Sequence, residues 1–236
     1  MARRKSIFIV CSPRQRVGKT LIARAVTEFV LADGRSAIAF DVNPNNAILS
    51  GFLPRYTAAA DLESTRGQMA LFDELIGEDD VVKIIDLGDE AFEKFFTLCD
   101  QIGLLDEARR RGIDVVALFI ADPDPRSAKS YADLFRKFRY LALVPVRNEH
   151  IASFQSYMGS FPNPSSGEPA VRIPVLSPFL KNTVDKAGFS FDDYLERPAD
   201  MRTELHQWIE RVFVEFRELE LRLLLRELKS SLSLPR

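Results

Sequence analysis

The chain has 236 residues, 46% of them hydrophobic and 28% charged, with a formal net charge of −2. That length and composition suit one sizeable α/β domain with a small appendage and exclude a disordered chain. The near-neutral balance excludes a globally basic nucleic-acid binder and leaves only local basic patches open.

The N-terminal Met1-Ala-Arg-Arg-Lys-Ser is basic, as at the start of a signal peptide, but the apolar run behind it is too short for one. That run, residues 6–12, is read instead as a buried first strand. It leads through Pro13-Arg14-Gln15-Arg16 into Val17-Gly18-Lys19-Thr20 and a helical pattern over 19–32. Further short apolar runs follow at 36–42, 81–87, 115–121, 140–146 and 171–176. Helical patterns lie between them at 61–76, 91–111, 125–138 and 150–159. Most of the runs are continuously apolar rather than alternating, as in strands buried on both faces. Segment 160–170 is a loop by composition, and 177–200 reads as irregular with short helices. Residues 201–230 form one long amphipathic helical pattern rich in leucine. No stretch approaches the roughly 18 apolar residues of a membrane span, so a cytoplasmic protein is expected.

Strands alternating with helices predict an α/β fold: a doubly wound, mostly parallel sheet with a C-terminal helical extension. The expected division is a nucleotide-binding domain over 1–180 and an extension over 181–236. Right-handed crossovers put the ligand site of such a sheet at the carboxyl ends of its strands. Cys11 and Cys99 fall in a predicted strand and a predicted helix and read as buried thiols. His150 and His206 read as surface or boundary residues. No CxxC or HxxxH spacing occurs, which excludes a His/Cys metal cluster.

The strongest motif is the strand–loop–helix around Gly18-Lys19-Thr20, the context a phosphate-binding P-loop requires. Backbone N–H groups of the loop and of the first helical turn face an anion there, and the helix dipole adds to the attraction. Lys19 would reach the β- and γ-phosphates, Thr20 would ligate Mg²⁺, and Gly18 lets the backbone pass close to phosphate oxygens. Pro13 stands where the common P-loop pattern has its first glycine.

These residues resemble the ParA/MinD group of deviant P-loop ATPases, whose loop reads Lys-Gly-Gly-x-Gly-Lys-Thr. Aligned on Lys19, the group's signature lysine falls on Arg14 and its two glycines on Gln15 and Arg16. The resemblance implies that residues Gln15, Arg16, Val17, Gly18, Lys19 and Thr20 line the phosphates of ATP. It also implies that Arg14 reaches a partner's nucleotide across a homodimer; arginine keeps the charge but presents a planar fork where lysine is a compact point charge. Asp41-Val-Asn43-Pro-Asn resembles the group's Asp-x-Asp-Pro-Gln. Asp41 matches its first aspartate, which adds it to the metal set, and Asn43 stands where the second orients the attacking water. An amide cannot accept a proton as a carboxylate can, so slow or absent hydrolysis is expected. Lys83-Ile-Ile-Asp86-Leu-Gly88 is similar to a Walker B segment, in which Asp86 would hold the Mg²⁺ shell through water and Gly88 would approach the γ-phosphate. Asn148 stands where an asparagine of the group contacts the adenine edge.

The resemblance extends over residues 5–180, with its motifs in 11–46 and 83–88. It implies an ATP- and Mg²⁺-dependent dimer that engages a protein cargo or adaptor. A non-hydrolysing scaffold remains a second reading, motivated by the departures at 15, 16 and 43. A ligase similar to dethiobiotin synthetase is a third, although the substrate lysine of that family has no counterpart after the second strand.

Three other features have structural readings. Asp122-Pro-Asp124-Pro suggests a strand end and a helix start, with Asp124 or Ser127 capping. Arg109-Arg110-Arg111-Gly112 complements a helix C-terminus, with non-specific DNA contact as the alternative. The leucine-rich C-terminal helix is expected to pack on the domain or on a dimer partner. A membrane surface fits it less well, since its acidic and basic residues balance.

Overall fold

The computed structural model describes residues 5–151, 161, 169–197 and 203–232. Its strands are β1 (Lys5–Cys11), β2 (Ala37–Val42), β3 (Thr57–Ala59), β4 (Val82–Leu87), β5 (Ile113–Ala121), β6 (Ala142–Asn148) and β7 (Val171–Ile173). They form one sheet in the order β3-β2-β4-β1-β5-β6-β7, and every ladder is parallel. Along β1, Ile7, Ile9 and Cys11 enter one core while Phe8 and Val10 enter the other. Side chains alternate across a strand, so a strand covered on both faces needs apolar residues at every position. That is why the runs carry no polar alternation.

One face is covered by α3 (Thr65–Leu75), α4 (Phe92–Gln101), α5 (Leu104–Arg110) and α6 (Pro125–Lys137). The other carries α1 (Lys19–Ala32), α2 (Leu49–Phe52), α7 (Pro178–Val184), α8 (Phe191–Leu195) and α9 (Glu204–Leu232). The fold is therefore the doubly wound parallel α/β architecture expected. With β1 flanked by β4 and β5, the switch of winding direction falls at the carboxyl end of β1, where such sheets bind ligands.

Several expected elements change in detail. The single helix expected over 91–111 is two, because Gly103 takes a left-handed conformation (φ 65°) that ends α4 and starts α5. The edge strand β3 was not expected: Thr57-Ala58-Ala59 has no apolar run and is drawn into the sheet by its ladder to β2. The helix expected from 61 begins at Thr65, since Asp61 turns the chain by accepting from Glu63 N at 2.7 Å and Ser64 caps the helix through Gly67 N at 3.1 Å. The last strand stops at Ile173 because Pro174 has no N–H to continue the ladder. The helix expected over 150–159 lies outside the described residues beyond Ile151, as does most of the loop over 160–170.

Helix α9 divides by burial. Leu205, Trp208, Ile209, Val212, Phe213, Phe216 and Leu219 are buried, with Phe213 and Phe216 meeting Phe29 of α1 at ring separations of 5.6 and 5.7 Å. Beyond Leu219 the stripe of Leu221, Leu224, Leu225 and Leu228 faces solvent. Among the described residues no helix is long and apolar enough to cross a membrane. Cys11 and Cys99 are buried free thiols, both with pKa pushed up by burial. His150 is exposed, but His206 is buried, against expectation, with Nε2 3.3 Å from Glu210. The basic run is held within the chain: Arg109 stacks over Tyr140 at 4.0 Å, and Arg110 and Arg111 pair with Glu107.

Candidate nucleotide site

At the carboxyl end of β1 the loop 12–18 crosses to α1. The buried Ser12 hydroxyl accepts from Arg14 N at 3.2 Å and starts the turn. Two residues then take left-handed conformations, Arg16 at φ 58° and Gly18 at φ 92°. At Gly18 a side chain is disfavoured for a second reason: a Cβ there would lie 2.8 Å from Asn148 Nδ2 and displace it. Arg16 holds, at some cost in backbone strain, a conformation that glycine adopts freely.

Lys19, the first residue of α1, is buried and folds back over the loop. Its Nζ donates to Arg14 O at 2.5 Å and lies 3.5 Å from Asp89 Oδ1. Burial lowers its pKa, and Asp89 opposes that shift. The lysine thus lies over the loop at a helix N-terminus, an arrangement suited to an anion.

Below it, Asp86 near the end of β4 is fully buried. Neither of its carboxylate oxygens has a hydrogen-bond partner, although the Thr20 hydroxyl and the Asn43 amide are near enough to favour its charge. Burial pushes its pKa up to about 6. A buried carboxylate without partners costs on the order of 1–3 kcal/mol or more unless something else satisfies it. Thr20 lies beside it, and its hydroxyl and the carboxylate are oxygen donors of the kind hydrated Mg²⁺ takes, with the Lys19 charge nearby. Among the described residues no group of three or more His, Cys, Asp or Glu side chains could hold a metal by itself. A cation here would therefore draw most of its ligands from water and phosphate.

Asp41, at 2% exposure, has both oxygens engaged: Oδ1 accepts from Asn43 Nδ2 at 2.6 Å and Oδ2 from Leu49 N at 2.9 Å. It anchors the loop between β2 and α2. Asn43 also donates to Asp86 O at 3.2 Å, and its Oδ1 would be 2.7 Å from a Cβ at Gly88. Its amide is thus spent on the floor of the site, and Gly88 must be glycine to let the two strand ends close on each other. Arg14 is tied to Asp124 of the β5–α6 loop at 2.9 Å, while Asp124 also caps α6 through Arg126 N at 2.9 Å. Asn148, now the last residue of β6 rather than beyond its strand, donates to Val17 O at 3.0 Å and so braces the loop 12–18.

These groups border one open cleft of about 660 Å³, within the range of small-molecule sites. Gln15, Arg16, Gly18, Lys19 and Thr20 line its polar end with Asn43, Gly88 and Asp89; Phe52, Pro174, Leu176 and Trp208 line the apolar remainder. The fold brings every predicted site residue but Arg14, Val17, Asp41 and Asp86 to the cleft surface; Asp41 and Asp86 form the floor beneath it. Sequence reading missed much of the cleft lining, Asp89 and Arg24 among it. Asp89 follows directly on Gly88, one position past the recognised segment. Arg24 lies one helical turn after Thr20, where it reads as an ordinary helix-surface charge.

No protein-family model matches the chain, and no curated protein matches it in sequence. Its structure is similar to a plasmid partition protein of Borrelia burgdorferi at 11% identity and a TM-score of 0.50, covering 92% of this chain and 99% of the other. It is likewise similar to the MinD cell division protein of Aquifex aeolicus at 15% identity and a TM-score of 0.50, covering 91% and 97%. At these identities the likeness establishes the fold alone, shared with these two proteins over nearly the whole chain.

Proposed function

We propose that this chain is a divergent ParA/MinD-type ATPase that binds ATP with Mg²⁺, dimerises with nucleotide bound, hydrolyses it slowly and acts with a protein cargo or adaptor in partitioning or positioning. The observation that carries the reading is the buried Asp86 carboxylate without hydrogen-bond partners, set under Lys19 and Thr20 at the N-terminus of α1. Loop N–H groups and Lys19 would hold the β- and γ-phosphates. Thr20 and Asp86 would hold Mg²⁺, which when bound offsets charge building on the phosphates. Nucleotide oxygens would take over the Lys19 ammonium from Arg14 O. Arg14 is the candidate to reach a partner's phosphate, for which it has to leave Asp124. Slow turnover follows from Asn43, whose amide nitrogen is engaged by Asp41 and Asp86 O and which cannot act as a carboxylate acceptor.

The test is calorimetric titration with ATP and a non-hydrolysable analogue, with and without Mg²⁺, on wild type and Lys19→Ala. Mg²⁺-dependent binding that disappears in Lys19→Ala is expected, with light scattering reporting a nucleotide-dependent rise in mass. Absence of binding by the wild-type protein would overturn the reading and leave an interaction scaffold built on the same fold.

A further inference from the structure

We infer that Asp89 is the catalytic carboxylate of this site, the group that accepts a hydrogen bond from the attacking water in place of Asn43. The inference deepens the nucleotide-binding reading and rests on it. Lys19 Nζ marks where the β- and γ-phosphates come to lie, and Asp89 Oδ1 is 3.5 Å from it. Of the acidic residues lining the cleft, Glu90 is held by Asn45 and Asp185 pairs with Lys181 away from the lysine. Asp41 and Asp86 lie beneath the surface, one with both oxygens taken and the other fully buried. The Asp89 side chain, at 23% exposure, remains open to solvent from the cleft. A water can therefore reach it.

Its backbone is fixed by the fold and not by a long loop. Gly88 N bonds Val42 O at 3.0 Å, closing β4 against β2. Ala91 N bonds Gly88 O at 3.2 Å, and Phe92 N bonds Asp89 O at 3.3 Å, leading into α4. Ala91 and Phe92 on its far side are buried in the core. The carboxylate thus projects from a rigid turn between a central strand and a packed helix, the support a positioned acceptor needs. The charge it carries is offset by Lys19, whose Nζ lies 3.5 Å away.

In the step this implies, the water oxygen forms a bond to the γ-phosphorus while the bond from that phosphorus to the β–γ bridging oxygen breaks. The bond pair leaves with ADP. Both water protons end on the inorganic phosphate, one kept on the oxygen that attacks and the other passed by way of Asp89. Orientation and proton acceptance of this kind typically contribute 10²–10⁴-fold.

The experiment measures ATP binding and steady-state phosphate release for the wild-type protein, Asp89→Asn, Asp89→Ala and Glu90→Gln, with thermal midpoints to establish folding. The expected result is at least a tenfold fall in turnover number for both Asp89 variants, with ATP binding retained or tightened because Lys19 loses an internal competitor. Glu90→Gln is expected to lose less turnover than either Asp89 variant, and an equal or greater loss would overturn the inference. Turnover unchanged in the Asp89 variants, turnover lost only in step with lost ATP binding, or a wild-type protein that binds ATP without hydrolysing it would each overturn the inference. Failure of the wild-type protein to bind ATP would instead sink the reading on which it rests, so the two failures are told apart by the binding data.

Discussion

At the scale of single residues, the floor of the cleft holds a buried carboxylate whose oxygens have no hydrogen-bond partner. Asp86 is fully buried with no hydrogen-bond partner, its pKa raised by burial. Groups of this kind persist at functional sites at the expense of stability. Asp86→Asn is therefore expected to stabilise the nucleotide-free protein by about 1–3 kcal/mol, while Mg²⁺ no longer strengthens nucleotide binding. Urea unfolding and titration with and without Mg²⁺ check the two halves. A variant that is less stable would mean that the carboxylate is satisfied in solution. Asp41 contrasts with it although both end central strands: its two oxygens are used by Asn43 and Leu49 N, so its role is to fix a loop.

At the scale of elements, α1 is joined to the C-terminal segments by a buried ion pair. Arg24 Nε and Glu28 Oε1 are 3.0 Å apart on α1. The guanidinium donates to Val184 O at 2.7 Å and to Phe189 O, and lies over the rings of Phe52 and Phe191 at 4.7 and 4.5 Å. Glu28 Oε2 accepts from Ser190 Oγ at 2.8 Å and from Phe191 N and Asp192 N, closing the start of α8. Burial lowers the pKa of the arginine and raises that of the glutamate, so each ion depends on the other. Arg24→Leu strands a buried carboxylate and is expected to cost about 3–5 kcal/mol. Combining it with Glu28→Leu is expected to return part of that loss. Chemical denaturation of the two variants decides it, and a double variant no better than the single one would show that the hydrogen bonds to 184–192 carry the effect instead of the charge.

At the scale of the whole molecule, two cores flank one sheet and α9 completes the second. Phe213 is buried against Phe29 at 5.6 Å, so Phe213→Ala is expected to cost about 3–5 kcal/mol. Leu221 and Leu225, each 55% exposed on the distal part of the same helix, are expected to tolerate replacement by Glu within about 0.5 kcal/mol. Thermal unfolding of the three variants reads the boundary directly. A large loss at Leu221 or Leu225 would mean that this stripe is covered in solution, as packing against a second copy would do.

The sequence by itself determined the layered architecture and the strand–loop–helix at 5–32. Continuous apolar runs reported strands buried on both faces, and α1 begins and ends where its pattern does, because hydrophobic periodicity and Gly18-Lys19-Thr20 are local signals. It failed where local signals were absent or contradicted, at the short edge strand β3 and at the Gly103 break. Only the tertiary structure decided which charged groups meet. Arg14 finds Asp124, Asn148 finds Val17 O, Arg24 finds Val184 O, and Asp89 comes to Lys19 across a sheet. Each pair is joined by parallel crossovers that carry the chain away and back by scores of residues. No periodicity or motif spacing records such a meeting, since it is fixed by strand order and by the closing of strand ends over one cleft.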